Sequence, residues 1–114
     1  MKLRELVKKF NLEVKCAADR LDRKIEGGYV SDLLSDVIAN GRAGDAWVTL
    51  QVHQNIVGVA SLKDLAAIII INGRQPEENT IEKAENEGIP IMVSKMSAFE
   101  LVAGLCSAGI SGTR

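Results

Sequence analysis

Leu3, Leu6, Val7 and Phe10 recur at i, i+3, i+4 and i+7, with lysines and Glu5 between them. That spacing predicts an amphipathic opening helix closing near Asn11. Leu12 to Val14 alternates apolar and polar and reads as a short strand, and the charged stretch from Asp19 to Lys24 reads as a loop. Ile25 to Val30 is a strand with Gly27-Gly28 in its middle. Paired glycines there imply a bulge, or a close approach by another backbone or a ligand. Ser31 and Asp32 are then placed to cap a short helix carrying Leu33, Leu34, Val37 and Ile38.

The second half is more regular. Turn residues at Gly41 to Asp45 lead into a strand over Ala46 to Val52. Asn55 is placed to cap a helix over Ile56 to Leu62, apolar around most of its circumference, with Gly58, Ala60 and Ser61 allowing close packing. Leu65 to Ile71 ends in four consecutive isoleucines, and a run without alternation implies a strand buried on both faces, as in the centre of a parallel sheet. After Asn72-Gly73-Arg74, Pro76-Glu77-Glu78 opens a helix with proline and acids in its first turn. Ile81 and Ala84 face inward, and Gly88 closes it. Ile89 to Val93 is the last strand. Ser97 and Glu100 form a capping box for a helix that packs through Phe99, Leu101, Val102, Leu105 and Cys106 and stops at Gly109, leaving Ser111 to Arg114 as a loose tail. Strand and helix thus alternate, which predicts an α/β fold: a three-layer α/β/α domain with a mostly parallel sheet of about five strands.

Composition narrows the function more than the fold. At 114 residues the chain is expected to be one domain, 1–114, with 4% aromatics and a core built from Val, Ile, Leu and Ala. Fourteen basic against fifteen acidic residues leave no basic field for phosphates, so no nucleic acid is expected as partner. Leu65 to Ile71 is too short to cross a bilayer and the N-terminus has no signal-like apolar run, so no membrane association and a cytoplasmic location are expected. Cys16 and Cys106 allow one disulfide by count, but two free thiols in a reducing compartment is the expected reading. Cys106, among apolar helix residues, is expected to be packed away, and Cys16, beside Lys15, to be the more exposed.

No constellation of residues qualifies as catalytic, so the chain is expected not to be an enzyme and to carry neither cofactor nor metal. His53 is the single histidine, without the clustered ligands of a metal site, and is assigned a hydrogen-bonding or interface role. The glutamates at 77–78 and 82–87 read as a solvated helix face. In open parallel sheets ligands bind beyond the carboxyl ends of the strands. That rule collects Gln51, His53, Asn55, Asn72, Gly73 and Arg74 as candidate ligand residues, with Arg74, beside Gly73 and a helix start, suited to a phosphate or carboxylate. Ser31, Asp32 and Ser94 fall on the same edge and read as turn or cap residues.

From Ala46 to Gly109, through "WVTLQVHQN", "DLAAIIIINGR" and "IPIMVSKMSAFELVAGL", the chain resembles a DRTGG domain. "LDRKIEGGYVSDLLSDV" at Leu21 to Val37 fits the opening half of the same family. Such domains are similar to the N-terminal domain of HPr kinase/phosphatase and also occur between the paired CBS domains of some regulated inorganic pyrophosphatases. Two departures stand out. Val52-His53-Gln54-Asn55 replaces the family's Gly-Asp-Arg, and Asn72-Gly73-Arg74 replaces its Thr-Gly-Gly. The P-loop of the kinase is absent. The resemblance implies a non-catalytic regulatory module that senses a small anionic metabolite or an adenine nucleotide. The alternative is an assembly domain that acts as a homo-oligomer, expected to be a dimer, or docks on a signalling or kinase-like partner. The Ile56 to Leu62 helix and the glycine-marked strand are the expected surface for that alternative.

Overall fold

A computed structural model describes residues 1–112. Eleven elements follow one another: α1 (Leu3–Phe10), β1 (Glu13–Val14), a 3-10 turn (Ala18–Arg20), β2 (Gly27–Val30), α2 (Leu34–Asn40), β3 (Asp45–Thr49), α3 (Asn55–Lys63), β4 (Ala67–Ile70), α4 (Glu78–Glu87), β5 (Ile91–Val93) and α5 (Ala98–Ser107). The sheet has five strands in the order β1-β5-β4-β3-β2. β2, β3, β4 and β5 are mutually parallel, and only the two-residue β1 runs antiparallel, on β5. The α/β class, the three layers and the strand count expected from the sequence are all present.

Burial alternates along each inner strand and assigns the helices to faces. Ala46, Val48, Ala67, Ile69 and Met92 point to one side, against Leu3 and Leu6 of α1 and Leu101 and Leu105 of α5. Trp47, Ile68, Ile70, Ile91 and Val93 point to the other, against Val37, Ile56, Val57, Ala60 and Ala84 of α2, α3 and α4. The four parallel strands are laid down in one direction, so their three crossover helices share a face. The terminal helices cover the opposite face. Ile68, Ile69 and Ile70 are each fully buried, as an isoleucine run without alternation requires.

Several local expectations need correction. β3 ends at Thr49 rather than Val52, and β4 and β5 are shorter than their apolar runs, because flanking residues leave the ladder while staying buried. Ser31 and Asp32 do not cap α2, whose N-cap is Leu33 without a side-chain acceptor. Asp32 Oδ1 instead accepts from Thr49 Oγ1 (2.8 Å) and from the Leu50 amide (2.7 Å), tying the β2–α2 loop to the end of β3. Asn55 is the first residue of α3 and Gln54 stands at its N-cap. The strand containing Gly27-Gly28 has no bulge, since it pairs with β3 in unbroken register from Gly27↔Asp45 to Val30↔Val48. The glycines mark a close backbone approach. The Gly28 amide donates to Ser111 O (3.1 Å), and a Cβ on Gly28 would touch Ile110 Cγ2 at 3.5 Å. Ser111 is therefore held on the sheet edge; Thr113 and Arg114 lie outside the described residues.

Ser97 caps the closing helix, its Oγ accepting from the Glu100 amide at 3.3 Å, but the expected capping box is only half formed, since the Glu100 side chain does not accept from the Ser97 amide. Phe99, however, is 85% exposed and belongs to the outer face. The cysteine expectations are reversed. Cys16 is buried, with its thiol donating to Ile89 O at 3.4 Å, and Cys106 is exposed. Sequence neighbours mislead here because Cys106 lies on the side of α5 opposite Leu101 and Leu105, whereas Cys16 is covered by α4. The apolar Ile56 to Leu62 helix is interior rather than an interaction surface. It lies between α2 and α4, and only Leu62 among its large apolar side chains reaches solvent.

Candidate functional site

The carboxyl ends of the parallel strands form one polar edge, and the direction each chain takes on leaving it decides where a cleft can open. β2, β3 and β4 lead into helices on one face, whereas β5 leads into α5 on the other. The β4–α4 and β5–α5 loops therefore diverge, and β4/β5 is the switch point where open α/β sheets admit ligands.

All six candidate residues lie at the carboxyl ends of the adjacent strands β3 and β4, with unequal freedom. Gln51 Nε2 donates to Asp32 O at 3.0 Å. His53 Nδ1 lies 2.8 Å from Glu77 Oε2. That pair pins the β3–α3 loop to the start of α4, where Val52 O also accepts from the Glu77 amide and from Thr80 Oγ1. Asn55 is exposed on the first turn of α3.

Asn72, Gly73 and Arg74 sit at the switch point itself. Asn72 and Gly73 both adopt left-handed backbone conformations, with φ of 58° and 66°. Asparagine and glycine tolerate that region better than other residues. The turn aims the two amides at the neighbouring loop, where Asn72 N donates to Met96 O (2.9 Å) and Gly73 N to Ser94 O (2.8 Å). Those amides are spent, so no phosphate-cradling backbone nest exists here. The groups left to meet a ligand are side chains. Arg74 Nη1 donates to Leu50 O at 2.6 Å, which draws the guanidinium toward the end of β3.

Lys95 flanks Gly73 on the other side, in a hollow of about 350 Å³ shared with Asn11, Glu13 and Gln75. Among the described residues neither Arg74 nor Lys95 has a carboxylate within 4 Å. Glu13, which accepts from Gln75 Nε2 at 3.1 Å, lines the Lys95 side, so the Arg74 side is the better place for negative charge. No heavy atom lies within 4 Å of where a Gly73 side chain would begin, and the turn is open to solvent. Lys95 was invisible to sequence reasoning because its relation to Gly73 depends on α5 crossing to the far face. Ser94, read as a turn residue, is buried and accepts from the Met96 amide (3.1 Å) in a turn of its own.

Beyond this edge the electrostatics are quiet. Tyr29 Oη donates to Asp36 Oδ2 at 2.8 Å, which holds the Asp36 carboxyl below its ordinary pKa and pushes the Tyr29 phenol up. Burial raises the Cys16 thiol. Among the described residues no group of three or more His, Cys, Asp or Glu side chains could hold a metal ion, and no helix is long and apolar enough to cross a membrane.

Neither models of known protein families nor curated proteins match the chain. Solved structures do. The chain is similar to the crystal structure of the CBS and DRTGG domains of the regulatory region of Clostridium perfringens pyrophosphatase, complexed with the activator diadenosine tetraphosphate. The TM-score is 0.72 at 14% sequence identity, over 90% of this chain and 44% of that one. The two share a fold. The α/β fold expected from the residues is thus shared with part of a solved regulatory region, of which this chain spans less than half the length.

Proposed function

We propose that this domain is a regulatory module that senses a small anionic ligand at the β4/β5 switch point, with Arg74 as the principal contact. The observation that carries the reading is the pair of cations, Arg74 and Lys95, flanking an open left-handed turn with no carboxylate partner among the described residues. Arginine suits the role because its planar fork keeps donors available after one bond to Leu50 O. Asn72 adds a neutral donor beside it, and Gln51, His53 and Asn55 line the adjoining edge. The ligand in the structurally similar pyrophosphatase region makes polyphosphate nucleotides the first class to try.

The test is thermal denaturation across nucleotides, dinucleoside polyphosphates and inorganic pyrophosphate. Ligand at a hundred times its dissociation constant adds about 2.7 kcal/mol. In a domain of this length that is a rise on the order of 10 °C. The rise should disappear in Arg74→Ala and shrink in Lys95→Ala, both exposed positions whose unliganded melting should hardly move. A flat panel, or a shift that survives in Arg74→Ala, refutes the assignment.

A further inference from the structure

β1 is two residues long and the one antiparallel strand of the sheet, yet it builds a wall. Added to β5 in the register Glu13↔Val93, it bounds the hollow of about 350 Å³ that opens beside Gly73. Small-molecule sites run from roughly 300 to 1,000 Å³, so this one has room for a single sugar ring. Buried Leu12 and Val93 line its base, and the exposed residues Asn11, Glu13, Gln75 and Lys95 form its rim.

The polar groups of the rim are unequally occupied. Gln75 Nε2 donates to Glu13 Oε1 at 3.1 Å, and Lys15 Nζ lies 3.7 Å from the same oxygen. Both contacts fall on one oxygen, so the carboxylate is oriented while its Oε2 has no partner among the described residues. Gln75 has spent a donor on Glu13 and keeps its Oε1 to accept. The hollow thus offers acceptors, and the groups that acceptors recognise on an uncharged molecule are hydroxyls.

Charge orients any anionic occupant. Its phosphate is repelled from Glu13 and belongs over Gly73, where no heavy atom lies within 4 Å of a would-be Cβ and Arg74 and Lys95 stand on either side. Its uncharged part then falls in the hollow.

We infer that this hollow is a hydroxyl-binding subsite, with Glu13 as its specificity-determining residue, and that the ligand is a sugar carrying phosphate at one end. The inference rests on the anion site proposed above and supplies the chemistry of the rest of the ligand. The ribose of a nucleotide and a free sugar phosphate present the same hydroxyls beside the same phosphate. None of the residues lining the hollow is aromatic, so a nucleobase finds no ring to stack on and the sugar is what the subsite reads. A sugar phosphorylated at both ends would bring its second phosphate against Glu13. Hydrogen bonds from hydroxyls to a carboxylate are charge-assisted, and a site built on them rejects an analogue that lacks the hydroxyls.

Phosphorus NMR titrations of the full chain, in phosphate-free buffer, test this with inorganic phosphate, ribose 5-phosphate, AMP and 2′,3′-dideoxy-AMP. Ribose 5-phosphate should bind about tenfold more tightly than inorganic phosphate, the worth of one charge-assisted hydrogen bond, and the dideoxy nucleotide should lack that advantage. In Glu13→Ala the ratio of the two dissociation constants should fall to about one, with the loss on the ribose 5-phosphate side. AMP equal to ribose 5-phosphate assigns the site to free sugar phosphates; tighter AMP with the same dependence on Glu13 assigns it to nucleotides. Inorganic phosphate bound through Arg74 as tightly as ribose 5-phosphate would overturn the subsite and leave the anion site standing. A preference for ribose 5-phosphate that survives in Glu13→Ala would overturn the role of Glu13. Failure of every probe to bind would remove anion site and subsite together.

Discussion

Gly104 in the middle of α5 puts two effects of opposite sign at one position. Replacing a mid-helix glycine by alanine stabilises by about 0.5–1 kcal/mol, because the unfolded chain loses freedom. A Cβ at Gly104, however, would lie 2.5 Å from Cε1 and 3.2 Å from Cζ of Phe10, at the end of α1. No real pair of carbon atoms sits that close, so ring or helix must shift, and inserting a methyl into packed contact costs about 1–3 kcal/mol. Phe10 is only half-buried, which favours the lower half of that range. The net expectation for Gly104→Ala is destabilisation by about 1 kcal/mol, a fall in melting temperature near 4 °C for a chain of this length. The decisive assay is a double-mutant cycle by urea denaturation. With Phe10→Leu already in place the ring is gone, and the same Gly104→Ala change should become stabilising by about 0.5–1 kcal/mol. If Gly104→Ala stabilises the wild type, or still destabilises when Phe10 is leucine, the packing of α1 on α5 is not what sets the cost.

The thiols should separate cleanly. An aromatic disulfide reagent should titrate one thiol, that of exposed Cys106, rapidly and the second only in denaturant, because burial both covers Cys16 and raises its pKa. Simultaneous release of two equivalents would contradict the burial of Cys16. The Tyr29–Asp36 hydrogen bond predicts pH dependence at both ends. Asp36 has a folded pKa below its ordinary 3.8, so its contribution is complete above that value and is lost as pH falls through the folded one. Tyr29 is raised above 10.0, so its contribution is complete below that value and is lost as pH rises through the folded one. Melting of Asp36→Asn against wild type should therefore converge in acid and diverge near neutrality; parallel curves would show that the pair contributes nothing.

A sequence fixes local periodicity, and periodicity carried most of this fold. The isoleucine run of β4, the i, i+3, i+4, i+7 spacing of α1, Gly88 after α4 and Ser97 before α5 each encode their element within a few residues. Capping was less legible where side chains found distant partners. Asp32 was free to cap α2 until β3 brought Thr49 and the Leu50 amide to it. The candidate site divides the same way. Asn72, Gly73 and Arg74 can be found from the strand that precedes them, because the end of a parallel strand is a local feature. Lys95 beside Gly73, the bond from Arg74 to Leu50 O and the pairing of His53 with Glu77 join segments more than twenty residues apart. The first depends on α5 leaving β5 toward the opposite face from α4, and the other two on β3 and β4 lying side by side in the sheet. The same choice of face exposes Phe99 and Cys106 and buries Leu101 and Leu105. Helical spacing identifies two apolar stripes on α5, but only packing decides which one the core consumes and which stays at the surface.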